Sequence, residues 1–430
     1  AQGELPAPAV GRSSRRMSQP AAAVPDSKTH APKPTATGER LVVLDALRGF
    51  ALVGILLANL VSFFGLYSLS PDEVLALPSA DRGVLFLIDG FIESKFFGLF
   101  SILFGIGYGL QAARMERTPG FFRPYWYRRM AVLLAIGLLH MVFVWNGDIL
   151  TLYALLGMLL PLFGGLSDRA LTRWIVALLI APIALFLLTY ATSEAAFWGA
   201  LSQVSTGLKE ELGYGGRTAL EMRTSEAAAE VFFANVLSVI PRPMSYLLSG
   251  RYPQVLGLFL IGLVLSRRLP GIVARPLQPS PRWIAAFTVG LLCSLTYAWT
   301  KAATGTYYSL TPIGAVQAVV LHVGAPLLAL GIGWAFVTVW HRASETAVAR
   351  HLATLGRMAL TNYLFQTTAA VALFFGYGLG RMGAWPYVLI PVVALGILLA
   401  QGLLSHVWLR THAQGPIETV WKRLAYAGRR

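Results

Sequence analysis

The sequence predicts an all-α fold, a polytopic membrane helix bundle of about ten transmembrane helices with both termini on the cytoplasmic side. Three observations predict it. Of 430 residues, 56% are hydrophobic and 13% charged, about half the roughly 25% charge that coats a soluble domain. The apolar residues gather in runs long enough to cross a bilayer, for which about 20 are needed. Between the runs, Lys and Arg fall in short clusters, the pattern of cytoplasmic loops.

In chain order the expected spans are 41–65, 95–113, 128–145, 149–166, 172–192, 252–267, 283–303, 312–340, 355–378 and 385–409. With the N-terminus inside and 231–250 left out of the membrane count, the cytoplasmic segments carry 25 Lys/Arg and 7 Asp/Glu. The external ones carry 9 and 12. Making 231–250 a full span would move the basic loop of Arg267, Arg268, Arg275 and Arg282 outside. Ten spans therefore fit better. The stretch 231–250 is broken by Pro241 and Pro243; within the external segment 193–250 it is expected to lie at the outer interface or re-enter, with Arg242 facing a cavity.

The flanks read differently. Residues 1–40 are rich in Ala, Pro, Ser and basic residues and are expected to be a disordered tail. No cleavable signal peptide is read there, and Met17 is a candidate start. Residues 411–430 read as a cytoplasmic basic amphipathic tail, with Trp421, Lys422 and Arg423 at head-group level. The net charge of +15 is thus assigned to topology rather than to nucleic-acid binding. A single cysteine, Cys293, excludes an intramolecular disulfide, a CxxC motif and a cysteine metal cage. No Walker loop, dinucleotide fingerprint, HExxH or GxSxG motif is present, so no ATP-driven, metal or covalent-cofactor chemistry is expected.

Ionisable groups inside apolar helices are costly and so mark candidate sites. In the first helix Asp45 and Arg48 are three apart and can pair. Asn59 lies eleven residues beyond Arg48, on the same face and about 16 Å further along at 1.5 Å per residue. The alternative is a salt bridge at the interface and an Asn that packs helices. Lys95 heads the second helix, where it could attract an anion; behind it Gly98, Ser101, Gly105 and Gly109 form a small-residue packing face. The densest cluster runs from His140 through Trp145, Asn146, Gly147 and Asp148 to Tyr153, two helices joined by a tight turn. A His and a carboxylate at one membrane face can form a general base and its orienter; alternatively Asp148 caps a helix and His140 packs. Asn362 and Gln366 share a helix face and can bond to a neighbouring helix.

Five stretches in order resemble the YeiB-like bacterial inner-membrane family, domain of unknown function 418. They are Leu44-Asp45-Ala46-Leu47-Arg48-Gly49 with Asn59; Lys95 through Gly105; His140 with Asn146-Gly147-Asp148-Ile149-Leu150; Gly356 through Tyr363; and Gly415-Pro416-Ile417-Glu418. That family is similar to a wider superfamily of transmembrane acyltransferases, heparan glucosaminide acetyltransferase among them. These move an acyl group from cytoplasmic acyl-CoA to an acceptor outside. The large acyltransferase-three branch usually has a His ten residues after the Gly of its Asp-x-x-Arg-Gly opening; here Asn59 stands there. The resemblance therefore implies that His140 would serve as base, with Asp148 as orienter and Asn59 stabilising the oxyanion. Asp45, Arg48, Lys95, Asn146, Arg242, Asn362 and Gln366 would contact substrates, Arg48 holding the donor's anionic groups. The expected function is acyl transfer to a small-molecule or glycan acceptor. The runner-up is a transporter or exporter using the same polar face. Expected partners are membrane lipids and no nucleic acid; a homo-oligomer is compatible with the sequence.

Overall fold

A computed structural model describes residues 42–115, 122–192, 195–273 and 280–426. The expected tail over 1–40 and the last residues, 427–430, lie outside the described residues. Every regular element among the described residues is helical. The first half of the chain forms α1 (Val42–Phe63), α2 (Pro71–Leu75), α3 (Ser79–Phe91), α4 (Lys95–Met115), α5 (Phe122–Phe143), α6 (Leu150–Gly157), α7 (Leu160–Phe163) and α8 (Asp168–Thr192). Next come α9 (Ala195–Glu211), α10 (Ala219–Thr224), α11 (Ala228–Val239) and α12 (Arg242–Leu248), which occupy the expected external segment. The remainder forms α13 (Arg251–Val273), α14 (Pro281–Thr304), α15 (Pro312–Ala343), α16 (Ala347–Arg357), α17 (Ala359–Phe374), α18 (Ile390–Trp408) and α19 (Pro416–Tyr426).

Each expected span falls mainly on helix, but among the described residues length and composition alone qualify seven helices to cross a membrane, or eight if a bent pair is one span. The region 149–166 divides into α6 and α7, an apolar stretch from Leu150 to Phe163 that is about 21 Å long at 1.5 Å per residue, short of the roughly 30 Å hydrocarbon core. The region 355–378 breaks at Arg357–Met358, where Met358 leaves helical geometry (φ −117°, ψ 36°). The bent pair is α11 and α12, joined at 41° around Ile240–Pro241. Its geometry fits the expected interrupted stretch. Helix α3 was not foreseen, because its charged first turn disguised an apolar face that buries Leu85 and Ile88.

Small residues decide which helices meet. Gly105 on α4 and Gly262 on α13 face one another's backbones so closely that a methyl on either would strike a carbonyl oxygen, of Phe259 or Ile102 respectively. Gly109 is likewise filled by Ser266. The small-residue face expected on the second span is thus a helix-packing surface. Gly49 on α1 and Gly356 on α16 form a second such crossing, with the carbonyls of Leu352 and Asp45 where side chains would be. Two separated motifs meet there.

The terminal helix α19 docks on the bundle. The Trp421 indole N–H donates to the Arg129 carbonyl at 2.7 Å, and the Arg129 guanidinium stacks 3.6 Å from the Trp421 ring. Glu418 reaches across to α17, accepting from the backbone N–H groups of Leu360 (2.6 Å) and Thr361 (3.0 Å) and from the Thr361 hydroxyl (2.5 Å). A helix N-terminus leaves its first N–H groups unpaired, and here a carboxylate from a distant segment satisfies them. The helices α9 to α12 form a small cap with an apolar cluster of its own, including Met222, Ala234 and Leu237.

Candidate functional site

The hairpin between α5 and α6 organises the site. His140 lies in the last turn of α5 and is 3% exposed; Asp148 is fully buried. Their side chains meet at 2.9 Å, Nδ1 to Oδ1. The other oxygen of Asp148 accepts the Thr151 backbone N–H at 2.7 Å, and its carbonyl accepts the Tyr246 hydroxyl at 2.7 Å. Asp148 therefore accepts a first-turn N–H of α6 from the position before the N-cap, Ile149, while also holding His140. Where Asp148 is the acceptor, the Nδ1 proton belongs to the imidazole and leaves Nε2 as its lone-pair nitrogen. Nε2 is buried without a hydrogen-bond partner among the described residues. Beside it stands Tyr363, its ring centroid 5.5 Å from that of His140.

The hairpin is clamped from outside by Asn235 of α11, 2% exposed. Its amide donates to the carbonyls of Met141 (2.8 Å) and Val142 (2.6 Å), and its oxygen accepts the Asn146 N–H at 2.6 Å. Two carbonyls left over at the end of α5 are thereby satisfied.

Two cavities flank this centre. The larger, of about 680 Å³, lies toward the end of the bundle that charge counting places outside. Asn59, Glu93, Asn146, Arg223, Arg242 and Arg251 supply its main polar groups, with Tyr307 and Tyr308 at its side. The smaller, of about 260 Å³, lies toward the opposite end of α1 and has Arg48, Gln111, Arg129, Arg357 and Glu418 in its walls. Arg48 is ion-paired to the buried Asp45 at 2.8 Å, as the three-residue spacing allowed. Ile55, Ile149 and Tyr363 line both cavities and so separate them. His140 lines neither; it stands behind Tyr363.

Of the residues singled out from sequence, Asn59, Asn146 and Arg242 come together in the outer cavity and Arg48 enters the inner one, with Asp45 behind it. Three others lie elsewhere. Lys95 is fully buried and donates to the Asp89 carbonyl at 2.5 Å, lining neither cavity. Asn362 donates to the Leu355 carbonyl at 2.9 Å and accepts from Ser405 at 3.1 Å, which makes it a packing residue at the α16–α17 break. Gln366 makes one long contact, 3.5 Å, with the Leu52 carbonyl.

Sequence reasoning missed Arg223, Arg251, Asn235, Tyr363 and a buried charge cluster. In that cluster Lys301 of α14 holds Asp89 at 2.7 Å and Glu93 at 3.4 Å. The signal for the cluster was available: Asp89 and Glu93 are four apart just before an apolar run, and Lys301 ends another. Tyr363 and Asn235 carried no such mark, since a Tyr or Asn in a helix is unremarkable until its neighbours are known.

Residues 270–428 match the family model described as a protein of unknown function, DUF418. Nearly the whole chain is similar to bacterial proteins. It is 29% identical over 410 residues to the uncharacterized protein YxaH of Bacillus subtilis (strain 168), covering 92% of this chain and 96% of that one. It is 28% identical over 418 residues to the uncharacterized protein YeiB of Escherichia coli (strain K12), covering 90% and 96%. An uncharacterized 39.9 kDa protein from the amylase 3′ region of Bacillus acidopullulyticus is 27% identical over 408 residues, covering 91% and 96%. No solved structure matches the chain. The chain is thus similar to the DUF418 model in its C-terminal part and to YeiB over nearly its whole length, and it is a multi-pass helical membrane protein.

Proposed function

We propose that the protein is a membrane-embedded acyltransferase of the bacterial inner membrane, using an acyl-CoA-type donor from the cytoplasm and an acceptor from outside. The observation that carries this reading is the buried His140–Asp148 pair, with no hydrogen-bond partner on Nε2 among the described residues, set behind the wall shared by two cavities that carry charged side chains. The donor's anionic groups would sit among Arg48, Arg129 and Arg357 in the inner cavity, its acyl chain reaching toward Tyr363. The acceptor would enter the outer cavity. Displacement of the Tyr363 ring would bring Nε2 to the junction.

In the chemical step, Nε2 takes the proton of the acceptor's hydroxyl or amine as that atom bonds to the thioester carbonyl carbon. Asn59 donates to the developing oxyanion. The carbon–sulfur bond then breaks, and the imidazolium returns the proton to the departing thiolate. Asp148 holds the imidazole in the tautomer that leaves Nε2 basic and stabilises the cation formed in passing. The test is transfer of radiolabelled acetyl from acetyl-CoA to acceptors extracted from the host envelope, by full-length protein in proteoliposomes. His140→Ala is expected to abolish transfer while the protein keeps its elution profile; undiminished transfer would remove the mechanism.

One observation favours a second reading, a proton-linked transporter or exporter. Two cavities divided by three side chains also describe a closed pathway, with Asp45, His140 and Asp148 as proton-linked groups. Counterflow of solute without acyl-CoA would support transport. A covalent product formed only with acyl-CoA would support the enzyme.

A further inference from the structure

We infer that the outer cavity is a binding site for a phosphate-bearing ligand, its anion held by Arg223, Arg242 and Arg251. This deepens the acyl-transfer reading, on which it rests only in making that ligand the acceptor.

The three guanidiniums reach the same space from three separate elements: the end of α10, the start of α12 and the start of α13. Among the described residues none of the three has an ion pair. Arg223 donates to the Ser238 hydroxyl at 2.9 Å and, at 3.4 Å, to the Asn146 side-chain oxygen. Arg242 lies 4.6 Å from the Tyr246 ring and Arg251 4.9 Å from that of Phe97. The one carboxylate in the lining, Glu93, is held by Lys301 at 3.4 Å. Among the described residues the buried Nε atoms of Arg223 and Arg242 have no hydrogen-bond partner. Burial and the neighbouring Arg242 together lower the Arg223 pKa from its ordinary value, so the two cations stand near enough to repel one another.

Three like charges that share a single carboxylate, itself held by Lys301, in a half-buried space are unfavourable in the empty protein and favourable once an anion enters. A carboxylate brings one negative charge for three guanidiniums. A phosphate monoester or diphosphate brings about two or more, with several acceptor oxygens that match the planar donor fork of arginine. The volume, about 680 Å³, is in the usual range of roughly 300–1,000 Å³ for small-molecule sites. Ile55, Phe97, Phe186 and Leu321 give the apolar remainder of the ligand a surface to rest on. The location adds weight. External loops of membrane proteins are poor in Lys and Arg, yet three of the nine external basic residues converge here.

Phosphate can arrive as a lipid headgroup or as a soluble ester, and two arms separate the sources. Full-length protein in phosphatidylcholine nanodiscs is titrated with pyrophosphate by calorimetry. In parallel, protein from nanodiscs containing phosphatidic acid is scored for retained lipid by native mass spectrometry. No acyl donor is present in either arm, so a failure of acyl transfer does not bear on the result. Saturable binding is expected in at least one arm. Arg242→Gln and Arg251→Gln, each tested alone, should weaken it roughly tenfold, the size of one lost charge-assisted hydrogen bond. The matching Lys variants should recover part of the loss. Pyrophosphate binding identifies a soluble ligand; retention of phosphatidic acid alone identifies a lipid. If neither probe binds saturably, or if folded Gln variants bind like the parent, the inference is overturned.

Discussion

Replacing Asn235 by Leu tests whether a residue of α11 holds the α5–α6 hairpin in shape. Leu has nearly the same outline as Asn, so packing is kept and three hydrogen bonds are removed: to the carbonyls of Met141 and Val142 and from the Asn146 amide. The site is 2% exposed, so water does not readily replace them. At about 1 kcal/mol for each neutral bond, the loss is about 3 kcal/mol, or roughly 150-fold in a local opening equilibrium. The assay is hydrogen–deuterium exchange read by mass spectrometry on peptides spanning 141–149, in nanodiscs. Exchange there should accelerate by roughly two orders of magnitude, while peptides from the α4–α13 crossing stay as they were. An acceleration below about fivefold, equivalent to roughly 1 kcal/mol, would show that the hairpin holds its shape without this clamp.

Other perturbations follow from the same geometry. Glu418→Ala should destabilise α17 by about 2 kcal/mol through loss of a charged cap, read as a lower denaturant midpoint; Glu418→Gln should fall between the two. Lys301→Met strands Asp89 and Glu93 in a buried setting and should cost about 3–5 kcal/mol. Pairing it with Asp89→Asn should restore part of that, and a double variant no better than the single would refute the pairing. Gly105→Leu has no room against Phe259 and should cost at least about 1–3 kcal/mol, visible as a lost monodisperse peak in size-exclusion chromatography.

What the sequence made legible followed from how strongly each signal is tied to one physical cause. Long apolar runs have only one comfortable solvent, so the helical membrane architecture was readable throughout. The number of spans was less so, because α6, α7, α16 and α17 are short pieces and apolar length does not reveal where a helix breaks. Pairs close in sequence were readable: Asp45 with Arg48, and His140 with Asp148 across a tight turn. Lys95 shows the opposite case. Its position at a helix start suggested an exposed cation, but the preceding α3, whose Asp89 carbonyl it reaches, and Tyr297 of the distant α14 bury it. Arg223 and Arg251 escaped notice for the same reason. Nothing nearby in sequence announces that they share a space with Arg242, since only the folding of α10 to α13 over the hairpin brings them there.

The carboxylate that completes α17 comes from a residue 58 positions downstream. During synthesis, α17 must therefore wait with bare amides until α19 has been made and has swung back against α5. The two elements mature as one unit. Any force or partner that peeled α19 away would also loosen the start of the helix that carries Tyr363. A signal received at the face where α19 docks thus has a direct mechanical route to the partition between the two cavities.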